Sequence, residues 1–148
     1  MRHQPEIAAN RTETVTVLSV SPLEDDHASL QAIIGHSTWM MFKADCHSAA
    51  LAVLRQHDIS VVLCERDLKP GKWTDLLDHI HNLPYRPSLI VTSRLADERL
   101  WAEALNMGAW DVLAKPFDRT DVLRSVKAAW QHRHDQIQMP VGMLKAAS

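Results

Sequence analysis

Glycine is scarce: the 148 residues hold four, at positions 35, 71, 108 and 142, and no two are close. Phosphate-cradling loops need several glycines together, because backbone amides must converge on the ligand with no Cβ in the way. Dinucleotide, P-loop and flavin phosphate sites of the usual kinds are therefore excluded. No Gly-x-Ser-x-Gly occurs, so the nucleophile elbow of a serine hydrolase is missing as well. Cysteine is reduced to Cys46 and Cys64, without metal spacing. Cys64 falls inside an apolar run, and reduced thiols are expected. No apolar run approaches the ~20 residues of a membrane span. The opening Met-Arg-His-Gln-Pro-Glu lacks the apolar core of a secretion signal, so a cytoplasmic protein with no membrane partner is expected. A net charge of -2 gives no electrostatic basis for binding nucleic acid. What is present, 46% hydrophobic and 23% charged residues, suits one domain with a substantial core.

Periodicity orders the chain into alternating strands and helices. Residues 1–13 are polar and aperiodic and are read as a flexible arm. Val15 to Val20 forms a first strand, followed by Ser21-Pro22-Leu23-Glu24, which carries helix-start signals: Ser21 as cap, Pro22 at the first helical position, Glu24 reaching back. The helix directs Leu23, His27, Leu30, Ile33 and Ile34 to one face and stops at Gly35. Trp39 to Lys43 is a second strand, and a helix runs from about Ser48 to His57. Ile59 to Cys64 is too short and too β-branched for a helix and reads as a strand buried on both faces. Trp73 to Leu83 is helical, Ser88 to Thr92 a fourth strand, Asp97 to Met107 a helix ended by Gly108, and Asp111 to Ala114 a fifth strand. From Asp118 a last helix shows Val122, Leu123, Val126, Ala129 and Trp130 as one stripe and fades after Arg133. A domain over 14–133 with a mobile tail over 134–148 is expected. Five strands alternating with five helices on short connections give an α/β fold, a parallel sheet covered on both faces. His79 with His81 and His132 with His134 sit on helices, where a spacing of two turns side chains apart, so a solvated face is expected there rather than a metal site.

Polar residues gather at the strand carboxyl ends, where doubly wound α/β proteins keep their chemistry. They are Ser21 with Glu24, Asp25 and Asp26, then Glu65, then Thr92 and Ser93, then Lys115-Pro116-Phe117. Lys115-Pro116-Phe117 after a fifth strand, with Gly108-Ala109 just before it and a third strand ending in an acid ahead of Leu68 and Pro70-Gly71, resembles the receiver domain of bacterial response regulators. The resemblance covers about Thr14 to Arg133. It implies a flavodoxin-like, receiver-like fold with strand order 2-1-3-4-5, a Lys115–Pro116 bond in cis, and Ser93 rather than Thr92 as the switch hydroxyl.

The departures from that family are as informative. Its usual members end the first strand with paired acids that hold magnesium; here Ser21-Pro22 stands there, and Glu24, Asp25 and Asp26 fall within a helix, so that Ser21, Pro22, Glu24 and Asp25 mark a degenerate acidic pocket. A hard dication needs several converging oxygens, so neither magnesium nor any other cofactor is expected. The phosphate acceptor is replaced by Glu65. Three readings stay open for it: a polar residue left in a pocket that no longer works, a built-in mimic of the phosphorylated acceptor reaching Lys115 and Ser93, or a modified residue, with Asp67 as a substitute site.

The resemblance implies a stand-alone, atypical receiver domain, not an enzyme, acting in two-component-type signalling through a protein partner, a histidine kinase or another regulator. The alternative is a magnesium-dependent phosphoacceptor using non-standard acids such as Asp25 or Asp67. Trp101 and Trp110 flank Gly108 near the surface that receivers use for contacts, and are expected to form an interface, with a homodimer as one outcome.

Overall fold

The computed structural model describes residues 14–138. Both termini as read from sequence, the arm 1–13 and the tail beyond 138, lie outside the described residues. Five strands alternate with five helices: β1 Thr16–Val20, α1 Glu24–Ile34, β2 Met40–Ala44, α2 His47–Gln56, β3 Val61–Glu65, α3 Trp73–His81, β4 Ser88–Ser93, α4 Glu98–Met107, β5 Asp111–Ala114 and α5 Arg119–Gln138. The strands form one parallel sheet in the order β2-β1-β3-β4-β5.

The central strand explains the layering. All five residues of β3 are buried. Val62 and Cys64 join one core with Leu76, Leu77 and Ile80 of α3, Ala50 of α2, and Leu100 and Ala104 of α4. Val61 and Leu63 point the other way, into a second core with Leu30 and Ile34 of α1 and Val122, Val126 and Ala129 of α5. A strand with alternate side chains in two cores has no solvent face, and each such aliphatic side chain contributes about 1.5–3 kcal/mol on burial. β2, at the edge, is half-exposed along most of its length.

Two boundaries differ from the sequence reading. α1 begins at Glu24 rather than at Pro22, because Ser21 is buried and folds the chain into a tight turn: its Oγ accepts the Leu23 amide at 3.0 Å and donates to Asp26 Oδ2 at 2.7 Å. Ser21 thus caps no helix, and Pro22 is exposed in the turn. α5 does not fade at Arg133 but continues through the first residues assigned to the tail, to Gln138. The buried Arg133 anchors it there, with Nε donating to the Arg86 carbonyl at 3.2 Å and Nη2 to Asp58 at 2.9 Å. At its other end Asp118 Oδ2 accepts the Asp121 amide at 3.0 Å, the cap that the sequence signals.

Candidate functional site

Register brings the site together. Glu65 lies opposite Thr92, Ser93 opposite Ala114, and Val20 opposite Cys64, so the carboxyl ends of β1, β3, β4 and β5 finish along one edge of the sheet. The chain leaves that edge through Ser21 after β1, Arg66 after β3, Arg94 after β4 and Lys115 after β5. Glu65, the last residue of the buried β3, is itself 4% exposed.

At the centre of the edge stands the Lys115 ammonium. It donates to Asp26 Oδ2 at 2.8 Å and also to Glu65 Oε1. The three side chains are almost fully withdrawn from water, at 6% exposure for Lys115, 10% for Asp26 and 5% for Glu65. Each carboxylate accepts one further hydrogen bond. Glu65 Oε2 accepts the Asp67 amide at 2.7 Å, and Asp26 Oδ2 accepts the Ser21 hydroxyl. Buried charges are tolerated only when paired and hydrogen-bonded in this way. Burial works against the Lys115 ammonium, but hydrogen bonds to Asp26 and Glu65, together with their charges, outweigh it and hold its pKa above the ordinary value. Behind Glu65, burial, reinforced by the Glu65 charge, pushes the Cys64 thiol far up, so it remains neutral.

A second set of bonds fixes Asp26. The next residue, His27, is buried and bridges the end of β1, with Nδ1 2.8 Å from Ser19 Oγ and Nε2 2.9 Å from the Ser21 carbonyl. A carbonyl only accepts, so Nε2 carries a proton, and in the neutral ring the Ser19 hydroxyl donates to Nδ1. The ring thereby ties the first turn of α1 to β1.

The residues singled out from sequence are distributed as follows. Glu65 and Lys115 are joined. Pro116 is exposed, and the Lys115–Pro116 peptide is cis, as is Lys69–Pro70. Ser93 and Thr92 are buried, yet Ser93 Oγ accepts the Leu95 amide at 3.0 Å and so serves its own loop instead of Glu65. Glu24 and Asp25 are exposed; Glu24 meets Lys43 at 3.2 Å on the surface. The acid that does enter the pocket is Asp26, which sequence reading placed in the helix and set aside. Its signal was available: Asp26 precedes Leu30 by four residues and Ile34 by eight, the spacing of one helix face. Asp67 is exposed, with 72% of its side chain in solvent. Trp101 is half-exposed on α4, but Trp110 packs toward the opposite core layer with its ring stacked on His132 at 4.8 Å. The two tryptophans do not form one exposed pair, because Trp110 lies past the turn at Gly108, where the chain enters β5.

Magnesium, which the resemblance associates with this edge, does not fit these residues. A hard dication needs several oxygens facing one point. Between the two inward carboxylates stands an ammonium, the Ser21 hydroxyl is spent on Asp26, Pro22 has no side-chain oxygen, and Glu24 and Asp25 face solvent. Among the described residues no group of three or more His, Cys, Asp or Glu side chains converges in a way that would hold a metal.

A five-stranded parallel sheet in this order, with an acid at the end of β3 and a lysine after β5, agrees with the comparison by sequence. The family model of the response regulator receiver domain matches residues 22–127. The chain belongs to that family. Solved structures share its fold: the signal receiver domain of an HD domain-containing protein from Pseudomonas fluorescens Pf-5 is 23% identical, with a TM-score of 0.77 over 86% of this chain and 94% of that one. The receiver domain of a LuxO repressor protein from Vibrio parahaemolyticus is 17% identical, also at 0.77, over 86% and 99%. The chemotaxis response regulator CheY4 of Vibrio cholerae is 14% identical, with 0.71 over 78% and 98%. No curated protein matches the sequence. Receiver domains are signalling modules of two-component systems rather than enzymes. No helix among its described residues is long and apolar enough to cross a membrane.

Proposed function

We propose that this receiver domain signals through protein contacts without entering a phosphorylation cycle, with Glu65 supplying permanently the negative charge that a phosphorylated acceptor would carry. The observation behind this reading is the Lys115 ammonium, which bridges Glu65 and Asp26. Phosphoryl transfer depends for nearly all of its rate on metal and positioning. Here the cation is a side chain, and the acceptor position carries a carboxylate already bound to it. The partner is a signalling protein, a histidine kinase or another regulator. A homodimer is the self-association form of the same contact, with the half-exposed Trp101 on α4 as its anchor.

The experiment is incubation of the whole chain with magnesium and a small-molecule phosphoryl donor, read by intact mass. The expected result is an unchanged mass. A stoichiometric phosphoryl adduct that disappears in Glu65→Gln, Asp25→Asn or Asp67→Asn would replace this proposal with the magnesium-dependent phosphoacceptor.

A further inference from the structure

Away from the carboxyl edge, two imidazoles from different helices face each other. His47 is the first residue of α2 and His79 lies in the last turn of α3; their ring centroids are 4.9 Å apart, with the planes tilted by 58°. His47 Nε2 is withdrawn from solvent and is the one buried side-chain nitrogen or oxygen among the described residues that has no hydrogen-bond partner. Native proteins rarely leave such an atom unpaired, and an unseen ion or water is the ordinary explanation.

We infer that His47 and His79 form a two-imidazole site for a borderline transition metal ion of the zinc class. The spacing supports this. With a metal–nitrogen bond of about 2.0–2.1 Å, two imidazoles on one ion place their ring centres about 4.6–5.3 Å apart for bond angles between octahedral and tetrahedral. The observed separation falls inside that interval, and the tilt keeps the rings from stacking face to face. The loop before α3 lies beside this pair. Gly71, at φ +89°, brings the preceding loop close to both helices, and a Cβ there would lie 3.5 Å from Asp75 Oδ2 and 3.9 Å from His47 Cβ. Asp75 is exposed one turn before His79 on the same helix face and adds negative charge nearby.

The metal class follows from the donors and from the helix. Imidazole nitrogen suits zinc, copper and nickel, and it is a poor ligand for calcium or magnesium. His47 stands at the positive end of the α2 dipole, which disfavours a cation by about 0.3–1 kcal/mol. Only an ion with strong affinity for neutral imidazole overcomes that. With two protein ligands the remaining positions go to water, so the site is a weak, open one that clamps α2 to α3 when filled.

Zinc chloride titrated calorimetrically into the full chain at pH 7.5, with histidine ring-nitrogen NMR alongside, tests this. Saturation at one zinc per chain is expected, with shifts at the His47 and His79 ring nitrogens. His79→Ala, an exposed change that spares folding, should abolish that binding, His47→Gln likewise, and the exposed His36→Ala should leave it intact. The chain holds nine histidines. Saturable binding that survives His79→Ala, shifts confined to other imidazoles, or no saturable heat at all would each overturn the inference, and the last would make the partner of His47 Nε2 a water.

Discussion

Asp26 and Lys115 meet at 2.8 Å, although one lies in the first turn of the helix after the first strand and the other follows the last strand. Lys115 therefore neutralises two acids from two segments, and its removal leaves both carboxylates buried without a cation. Lys115→Ala is expected to destabilise the domain by about 3–5 kcal/mol, the usual cost of breaking a buried pair from one side. Urea unfolding at pH 7 measures it. A loss below 1 kcal/mol would mean that Lys115 is not held as described.

The same variant makes a specific test of the metal question. With the ammonium gone, Asp26 and Glu65 present two carboxylates across an emptied position. Magnesium should then raise the melting temperature of Lys115→Ala in a saturable way, since a ligand bound only by the folded state stabilises it by mass action. The unaltered protein should show no such rise. Equal stabilisation of both would refute the idea that the lysine fills the cation position.

Alkaline pH should unfold the domain in two stages. A group whose folded pKa lies above its unfolded value contributes stability that is complete below the unfolded value and is lost as pH rises beyond it. For Cys64 that loss starts near 9.0, its ordinary value, because burial keeps the folded thiol neutral. For Lys115 it starts near 10.5, as the unfolded chain loses a proton that the folded site keeps. Chemical denaturation from pH 7 to 11 should show declining stability, with Cys64→Ala flattening the first stage. An unchanged slope in that variant would contradict the burial of the thiol.

Gly108 closes α4 at φ +108°, and a Cβ there would stand 3.2 Å from His81 Cε1. Gly108→Ala should cost more than about 1 kcal/mol, since both the conformation and the space oppose a side chain. The double variant with His81→Ala, which removes only the crowding, should recover part of that loss in thermal unfolding. Full recovery would show that the left-handed conformation carries no cost.

Trp101 exposes half of its surface on α4. Sedimentation at high concentration should show self-association that Trp101→Ala weakens. A monomer throughout the range would remove the homodimer from the proposed function.

Much of the architecture was legible in the sequence because its signals are local. β3 announces itself as an uninterrupted aliphatic run, and the stripe of Val122, Val126 and Ala129 gives the face of α5. The pairing of Glu65 with Lys115 was also within reach, since both end or follow strands that must finish at one edge. Asp26 was harder. Whether Glu24, Asp25 or Asp26 enters the pocket depends on where α1 starts, and that start is set by the Ser21 side chain folding onto Asp26 rather than onto a helix amide. A capping signal and a turn signal look alike in sequence, because a hydroxyl can serve either. Ser93 shows a similar ambiguity, as its hydroxyl could serve the pocket or its own loop and takes the Leu95 amide. The end of α5 was missed because Arg133 reads as a polar terminus, while its partners, Asp58 and the Arg86 carbonyl, come from loops distant in sequence.

A cation carried on Lys115 has no dissociation rate. A bound metal equilibrates with the surrounding solution, so its occupancy rises and falls with the ion pool, with competing chelators and with growth conditions. The ammonium at this edge is made with the chain, one per molecule, and near neutral pH it departs only if the fold opens or a codon changes. On the proposed reading the ionic state of the pocket is written in the gene, and a variable input to this domain would arrive somewhere other than at the cation.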